Sequence, residues 1–390
     1  MRTTYVPPLT GDTARDLQRK PIILPQPEPA SAPKPVKSDI VLVGLDPGTS
    51  TTCIKAAFAG SPELIANEIV PTVVGYAREG IVEHLLPGNA RVLYGQQAMK
   101  YRIYLRMVSP MQNGVVEDLD AAQDFARHVR QLVNAPPNTE LRAVVGVPAS
   151  ADRTSRENLC AALGGLFHKV MLVPEPFLAA LGYRDEARLG DPAYLDPVRN
   201  SLFVDIGAGT TDVCLVQGYY PGPNEQVSSA FAGDEMDKLL HEAIKRQYAD
   251  ADLSLPRIRE IKEANSYVGQ AETSIAANIV IGGKARRLDF TDGIGKVCER
   301  LLQEIFELVK VAIGRASTDT VSDLMENIIL TGGGSRIRHL DTELQRRLAE
   351  DGYEKPRVLT VGEGYKELVA KGALAAARQA KDSQWLALAG

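Results

Sequence analysis

No stretch of this 390-residue chain offers the roughly 18–20 consecutive apolar residues that a membrane-spanning helix needs. The N-terminus lacks the short apolar core of a secretory signal peptide. Lysines and arginines are not gathered into a large block in the part that reads as folded, and the net charge is −5. A nucleic-acid partner would call for a basic face, so that class is set aside. Cysteine is scarce: Cys53, Cys160, Cys214 and Cys298 stand far apart with no CxxC pair. Cys53 and Cys214 lie inside apolar runs, which reads as buried thiols rather than redox or metal chemistry. A cytoplasmic protein fits all of these absences. The acidic balance does not exclude an anionic ligand, because backbone N–H groups bind anions locally.

What is present is ordinary globular material, 44% hydrophobic and 24% charged, in a chain long enough for two cores. Residues 1–38 differ from the rest. They hold eight prolines and six basic against three acidic residues, and few large apolar side chains. Such a segment buries too little surface to offset its ordering entropy, and it reads as a disordered tail. It is either a solvated leader or a docking arm for a partner or an anionic lipid surface. From Asp39 the text becomes globular. Ile40–Leu45 is an apolar run ending in Asp46-Pro47-Gly48-Thr49, and a second strand-like run follows at Thr52–Phe58. Leu202-Phe203-Val204 leads into Asp205-Ile206-Gly207-Ala208-Gly209-Thr210-Thr211-Asp212, and Val213–Val216 follows. Both read as strand, Asp, Gly/Thr turn, strand. Two copies of one hairpin at half-chain spacing suggest a duplicated domain.

Between and after the copies, strands alternate with helices, the signature of an α/β architecture. Strands are expected at Arg142–Val147, Lys169–Val173 and Asn327–Leu330. Helices are expected at Ala151–Leu166, Glu175–Tyr183, Asp234–Tyr248, Arg257–Ala271, Ile294–Ile313, Arg336–Leu348 and Tyr365–Ala380.

A triphosphate needs many donors at close range with no side chain in the way. Glycine supplies the space and Thr or Ser hydroxyls the directional donors. Gly48-Thr49-Ser50 and Gly207-Ala208-Gly209-Thr210-Thr211 each provide this at a hairpin tip, so two tips can hold a phosphate chain from opposite sides. An Asp beside phosphate makes sense if Mg²⁺ lies between them, reached through water, which marks Asp46 and Asp205. Either Asp alone is equally an Asx-turn residue, and it is the pair that argues for the metal. Glu175, at a strand end before Pro176, is the candidate to orient an attacking water; its plainer role is a helix-start charge. Gly332-Gly333-Gly334-Ser335, between a strand and a helix, would let backbone approach a base or ribose.

The two Asp-Gly-Thr hairpins, the Val173–Pro176 connection, Leu330-Thr331-Gly332-Gly333-Gly334 and Val369–Ala375 resemble, in order, the five-part signature of the actin, sugar-kinase and heat-shock-chaperone ATPase superfamily. Within it the chain resembles bacterial actins of the MreB/MamK type, through Ala232-Gly233-Asp234-Glu235-Met236-Asp237 and several stretches such as Tyr104–Val115 and Val204–Cys214. The resemblance covers roughly residues 39–388. It implies an actin-like α/β fold with two ribonuclease-H-like lobes, a nucleotide cleft between them and small inserted subdomains. The expected division is lobe I at 39–183 with a small subdomain near 68–100, lobe II at 184–364 with a helical subdomain near 236–324, and a C-terminal segment 365–390 packing back on lobe I.

The same resemblance implies ATP and Mg²⁺ as ligands, with Asp46 and Asp205 at the metal and Glu175 and Asp205 in hydrolysis. Gly48, Thr49, Ser50, Gly207, Gly209, Thr210 and Thr211 would be phosphate-loop positions, and Gly332, Gly333, Gly334 and Ser335 the adenosine loop. Gly233 and Asp234 join the binding set, and Lys262 would stand near the ribose. Three residues before Lys262, where many relatives keep a Glu for the ribose, stands Arg259; either Glu260 serves instead or no residue does. Pro47 stiffens the first turn, and 187–198 reads as an insertion. The implied activity is a Mg-dependent ATPase that polymerises with itself into cytoplasmic filaments. Its work would be positioning magnetosomes or another cargo, with adaptor proteins as further partners. The alternative within this superfamily is a small-molecule kinase of the sugar type; a chaperone ATPase would need a further β-rich domain.

Overall fold

The computed structural model describes residues 39–388. The 1–38 tail lies outside the described residues. Sheet one starts with β1 (Ile40–Pro47), β2 (Thr51–Phe58) and β3 (Leu64–Pro71), then β4 (Glu140–Val147) and β5 (Lys169–Pro174). β1 pairs antiparallel with β2 and parallel with β4, β2 pairs antiparallel with β3, and β4 pairs parallel with β5. Sheet two contains β6 (Ser201–Ile206), β7 (Thr211–Val216), β8 (Gln226–Ser229), β9 (Ile328–Thr331) and β10 (Val358–Thr360). β6 pairs antiparallel with β7 and parallel with β9, β7 pairs antiparallel with β8, and β9 pairs parallel with β10. Both sheets therefore run third, second, first, fourth, fifth strand across. The duplication read from two hairpins extends to the whole sheet. Sheet one gains a short edge strand, β11 (Leu386–Ala387), antiparallel to β5.

The central strands are apolar on both faces, as strands covered by helices on each side must be. β1, β2, β6 and β7 are buried along nearly their whole length. On the outer face of sheet one, α1 (Leu119–Leu132) and α2 (Arg153–Leu163) contribute Phe125, Val129, Leu159 and Leu163 to a core with Val41, Val43, Ala143 and Val145. Asp118 and Asp152 start these helices by accepting from Ala121 N–H and Ser155 N–H. A second core joins sheet two to α4 (Gly233–Gln247), α5 (Leu255–Asn265), α6 (Thr291–Arg315) and α7 (Leu340–Glu350).

The third core lies between the sheets. It gathers Leu42 and Val144 from sheet one, Phe203 and Ile329 from sheet two, and residues of α3 (Glu175–Tyr183) and α8 (Tyr365–Gln379). These two helices cross at glycine. A Cβ on Gly372 would sit 1.8 Å from Leu178 O, and one on Gly182 2.1 Å from Leu368 O. Only residues without a side chain allow two backbones so close.

Two helices differ from expectation. α5 stops at Asn265 instead of running to Ala271: Ser266 turns extended, its hydroxyl bonds Lys262 O, and its own carbonyl accepts from Arg338 N–H. The expected helix from Arg336 begins as a single 3-10 turn over Gly333–Arg336, and His339 at φ 64° separates that turn from α7. Among the described residues no helix is long and apolar enough to cross a membrane.

Candidate functional site

The first hairpin tip is braced from behind. Thr72 Oγ1 donates to Gly48 O at 2.7 Å and lies 2.8 Å from Thr52 Oγ1. Thr49 Oγ1 accepts from Gly114 N–H at 2.9 Å. The second tip closes on itself, with Gly207 N–H donating to Thr210 O at 2.9 Å. It also starts α4: Gly233 N–H reaches Gly207 O and Asp234 N–H reaches Ala208 O at 2.7 Å. The two tips face each other closely, for a Cβ on Gly209 would lie 2.8 Å from Thr49 Oγ1.

Between them opens a cleft of about 460 Å³. It is lined by Asp46, Gly48, Thr49 and Ser50 from the first hairpin and by Asp205, Gly207, Gly209 and Thr210 from the second. Glu175, Gly233, Asp234, Lys262, Gly332, Gly333 and Gly334 complete the expected set. Gly332 adopts φ +76°, and a Cβ there would fall 2.4 Å from Asp205 Oδ1. The glycine thus lets the loop after β9 lie directly against the carboxylate of β6. A larger hollow, about 800 Å³, opens between α2 and β5 beside Arg153, Tyr220 and Leu386, and holds none of the hairpin residues.

Two expected residues do not present side chains to the cleft. Thr211 is buried and its hydroxyl donates to Phe231 O at 2.8 Å. Ser335 is buried and its hydroxyl donates to Gly332 O at 2.7 Å, holding the glycine turn from behind. Glu260 also stays out: it pairs with Arg257 at the surface, 2.6 Å away. Arg259 instead bridges Asp234 at 2.6 Å and Asp237 at 2.7 Å. Lys262 Nζ reaches Asp237 Oδ1 at 2.7 Å and Gly233 O at 2.8 Å. Asp237, buried inside α4, thus ties α4 to α5 beside the cleft.

The carboxylates carry the electrostatics. Burial pushes Asp46 up to about 7. Burial, then Asp46 and Asp212, pushes Asp205 up to about 8. Glu175 is held well above the usual carboxylate range by burial first and then by Asp46, Asp205 and Asp212. Its Oε1 is buried and has no hydrogen-bond partner among the described residues. Asp212 is also buried, and burial lifts it to about 6 against the pull of Ser228, Thr210 and the Ala149 backbone N–H. Sequence reasoning passed over Asp212, Asp237 and Glu263, although all three have a signal. Asp212 and Asp237 close the two motifs already singled out. Glu263 lines the cleft with Arg259 and Lys262, one face of α5 at spacings three and four from Arg259, and with Ser266 just past the helix end.

The sequence pattern of the MreB/Mbl protein family matches residues 41–382. The chain belongs to this family. Actin-like protein MamK of Paramagnetospirillum magneticum (strain ATCC 700264 / AMB-1) is 31% identical over 313 residues, 79% of this chain and 84% of that one. Among solved structures, the MamK double helical filament superposes with a TM-score of 0.78 at 29% identity, over 87% of this chain and 99% of that one. A non-polymerising MamK mutant bound to AMPPNP gives 0.63 at the same identity and coverage. The MreB/Mbl chain therefore has the actin-like α/β fold that its duplicated sheets describe. Membership selects the actin-like cytoskeletal reading over the small-molecule kinase.

Proposed function

We propose that the cleft binds ATP with Mg²⁺ and hydrolyses it, and that the chain polymerises with itself into filaments whose turnover follows hydrolysis. The observation that carries the first part is Glu175 Oε1, a buried acceptor without a partner in a cleft walled by two phosphate-type hairpins. The relatives support each part: one solved MamK structure, a non-polymerising mutant, holds AMPPNP, and another is a filament.

The donor set fits a hydrated divalent ion. Asp46 and Asp205 are two half-buried carboxylates lining one cleft, and among the described residues no three His, Cys, Asp or Glu side chains converge into a direct ligand set. Mg²⁺ keeps several waters and is reached through them, which suits a site with two carboxylates. When bound, the ion supplies positive charge for the phosphates and for the raised carboxylates. The chain's own groups do the rest. Backbone N–H groups at Gly48–Ser50 and Ala208–Thr210 grip phosphate oxygens. Gly332–Gly334 leaves room for the adenosine against β6, and Lys262 stands on its ribose side. Glu175 Oε1 accepts from a water and draws its proton, a role its raised proton affinity suits. Asp205 supports both the metal and the reacting phosphate.

Filament growth in an actin-like protein needs head-to-tail contacts that do not close. Purified chain with Mg-ATP should scatter light with a lag and show filaments by electron microscopy. Absence of filaments across protein concentrations and salts defeats the polymer half of the proposal. The resemblance to magnetosome-associated actins makes such an organelle, engaged through adaptor proteins, the cargo reading.

A further inference from the structure

The larger hollow between α2 and β5 shares no lining residue with the cleft. Its volume, about 800 Å³, is that of a ligand-sized site. Three features converge there. The first is an open sheet edge. β11 pairs with β5 only at Lys169 and Val170, and β5 runs on through Met171 and Leu172 with no strand on that side among the described residues. Leu172 O is met instead by a side chain, the Tyr220 hydroxyl at 2.8 Å, and a carbonyl oxygen can accept a second bond. The second feature is an apolar wall. Met171, Leu386 and Tyr220 line the hollow, and the Tyr220 ring is steadied by that of Phe177, 5.8 Å away between centroids. The third is an arginine without an acid. Arg156 is half-buried, and its Nε donates to Ala151 O at 3.1 Å, which holds the guanidinium beside the Tyr220 hydroxyl. Glu157, the one carboxylate lining the hollow, is taken by Arg153 at 2.7 Å. Among the described residues no carboxylate pairs with Arg156. A guanidinium drawn part-way out of water and fixed in place favours a carboxylate, which it can grip through two parallel N–H donors.

We propose that this hollow docks an extended segment of a partner protein in which an Asp or Glu stands between apolar residues. The segment adds a short strand to the edge of β5 where β11 leaves it, and its acid pairs with Arg156. Side chains alternate along a strand, so the neighbours of that acid turn away from Arg156 and can meet the apolar wall. Arginine and tyrosine are also the side chains that carry much of the energy at protein interfaces. The inference does not depend on hydrolysis in the cleft, so either can fail without the other.

The probe is a library of random eight-residue peptides displayed on phage. It is selected on the full chain without nucleotide and counter-selected on Arg156→Glu. Recovered peptides should carry Asp or Glu flanked by aliphatic or aromatic residues. One of them, synthesised with a fluorophore, should lose about tenfold in affinity by anisotropy on Arg156→Gln, the scale of a hydrogen bond to a charged group. Replacing the peptide's acid by its amide should cost about the same, and both changes together hardly more than either alone. Cys160 lines the hollow and is half-buried, whereas Cys53, Cys214 and Cys298 are buried. The bound peptide should therefore slow maleimide labelling of Cys160. Phosphate release from ATP should be unchanged by Arg156→Gln, which lies outside the cleft. No enrichment, recovered peptides without an acid, an affinity indifferent to Arg156→Gln, or unslowed labelling of Cys160 each overturn the inference. So does self-association of the chain without nucleotide that Arg156→Glu abolishes in sedimentation, since the hollow is then covered by a second copy.

Discussion

Asp46, Glu175 and Asp205 bring three half-buried carboxylates to one cleft, and burial raises each of them. Such groups take up protons or gather cations. Removing one should weaken whatever cation they share. Asp205→Ala should lower the affinity for Mg-nucleotide about tenfold or more, since a hydrogen bond to a charged group contributes about 1.5–3 kcal/mol. Titrating nucleotide at fixed Mg²⁺ checks this, and an affinity indifferent to the change argues against the metal role. These three residues were legible in the sequence because each follows an apolar run and stands within two residues of Gly or Pro. Thr211 and Ser335 were misread for a physical reason. Side chains alternate along a strand, so Thr210 and Thr211 face opposite ways, and only the register says which faces the cleft. Ser335 sits beside three glycines, and nothing in the letters shows its hydroxyl turned back onto Gly332 O.

At the scale of elements, helix α3 was read with its observed bounds, Glu175–Tyr183, because Pro176 fixes its first turn. α5 was read six residues past its C-terminal end. The 3.6-residue period continues past Asn265, but the Ser266 hydroxyl and Arg338 compete for the backbone there. The crossing of α3 and α8 was not foreseen at all, since it depends on two glycines nearly 200 residues apart in the chain. That crossing makes a sharp prediction. Gly372→Ala places a methyl 1.8 Å from Leu178 O, and backbone, unlike a flexible side-chain end, yields little. Overpacking of this kind costs about 1–3 kcal/mol. Denaturant unfolding should show an earlier midpoint than the unmodified chain. An unchanged midpoint means the helices part without loss, and the third core is then looser than its packing implies.

At the scale of the whole molecule, two sheets of one strand order meet through a shared apolar core, and their matching hairpins face one cleft. The duplication was visible because each copy carries the same Asp, Gly and Thr chemistry at the end of an apolar strand. The surfaces that would join one copy of the chain to the next carry no such signature, because head-to-tail contacts need only complementary shape. What unites the parts in the proposed function is hydrolysis inside the cleft, with Glu175 at its centre. The most direct measurement is phosphate release from ATP by the unmodified chain and by Glu175→Ala, with nucleotide affinity measured on the same samples. The account predicts preserved nucleotide binding, hydrolysis slowed on the order of a hundredfold or more as for a lost general base, and filaments that persist longer. Phosphate release at the unmodified rate from Glu175→Ala would contradict it.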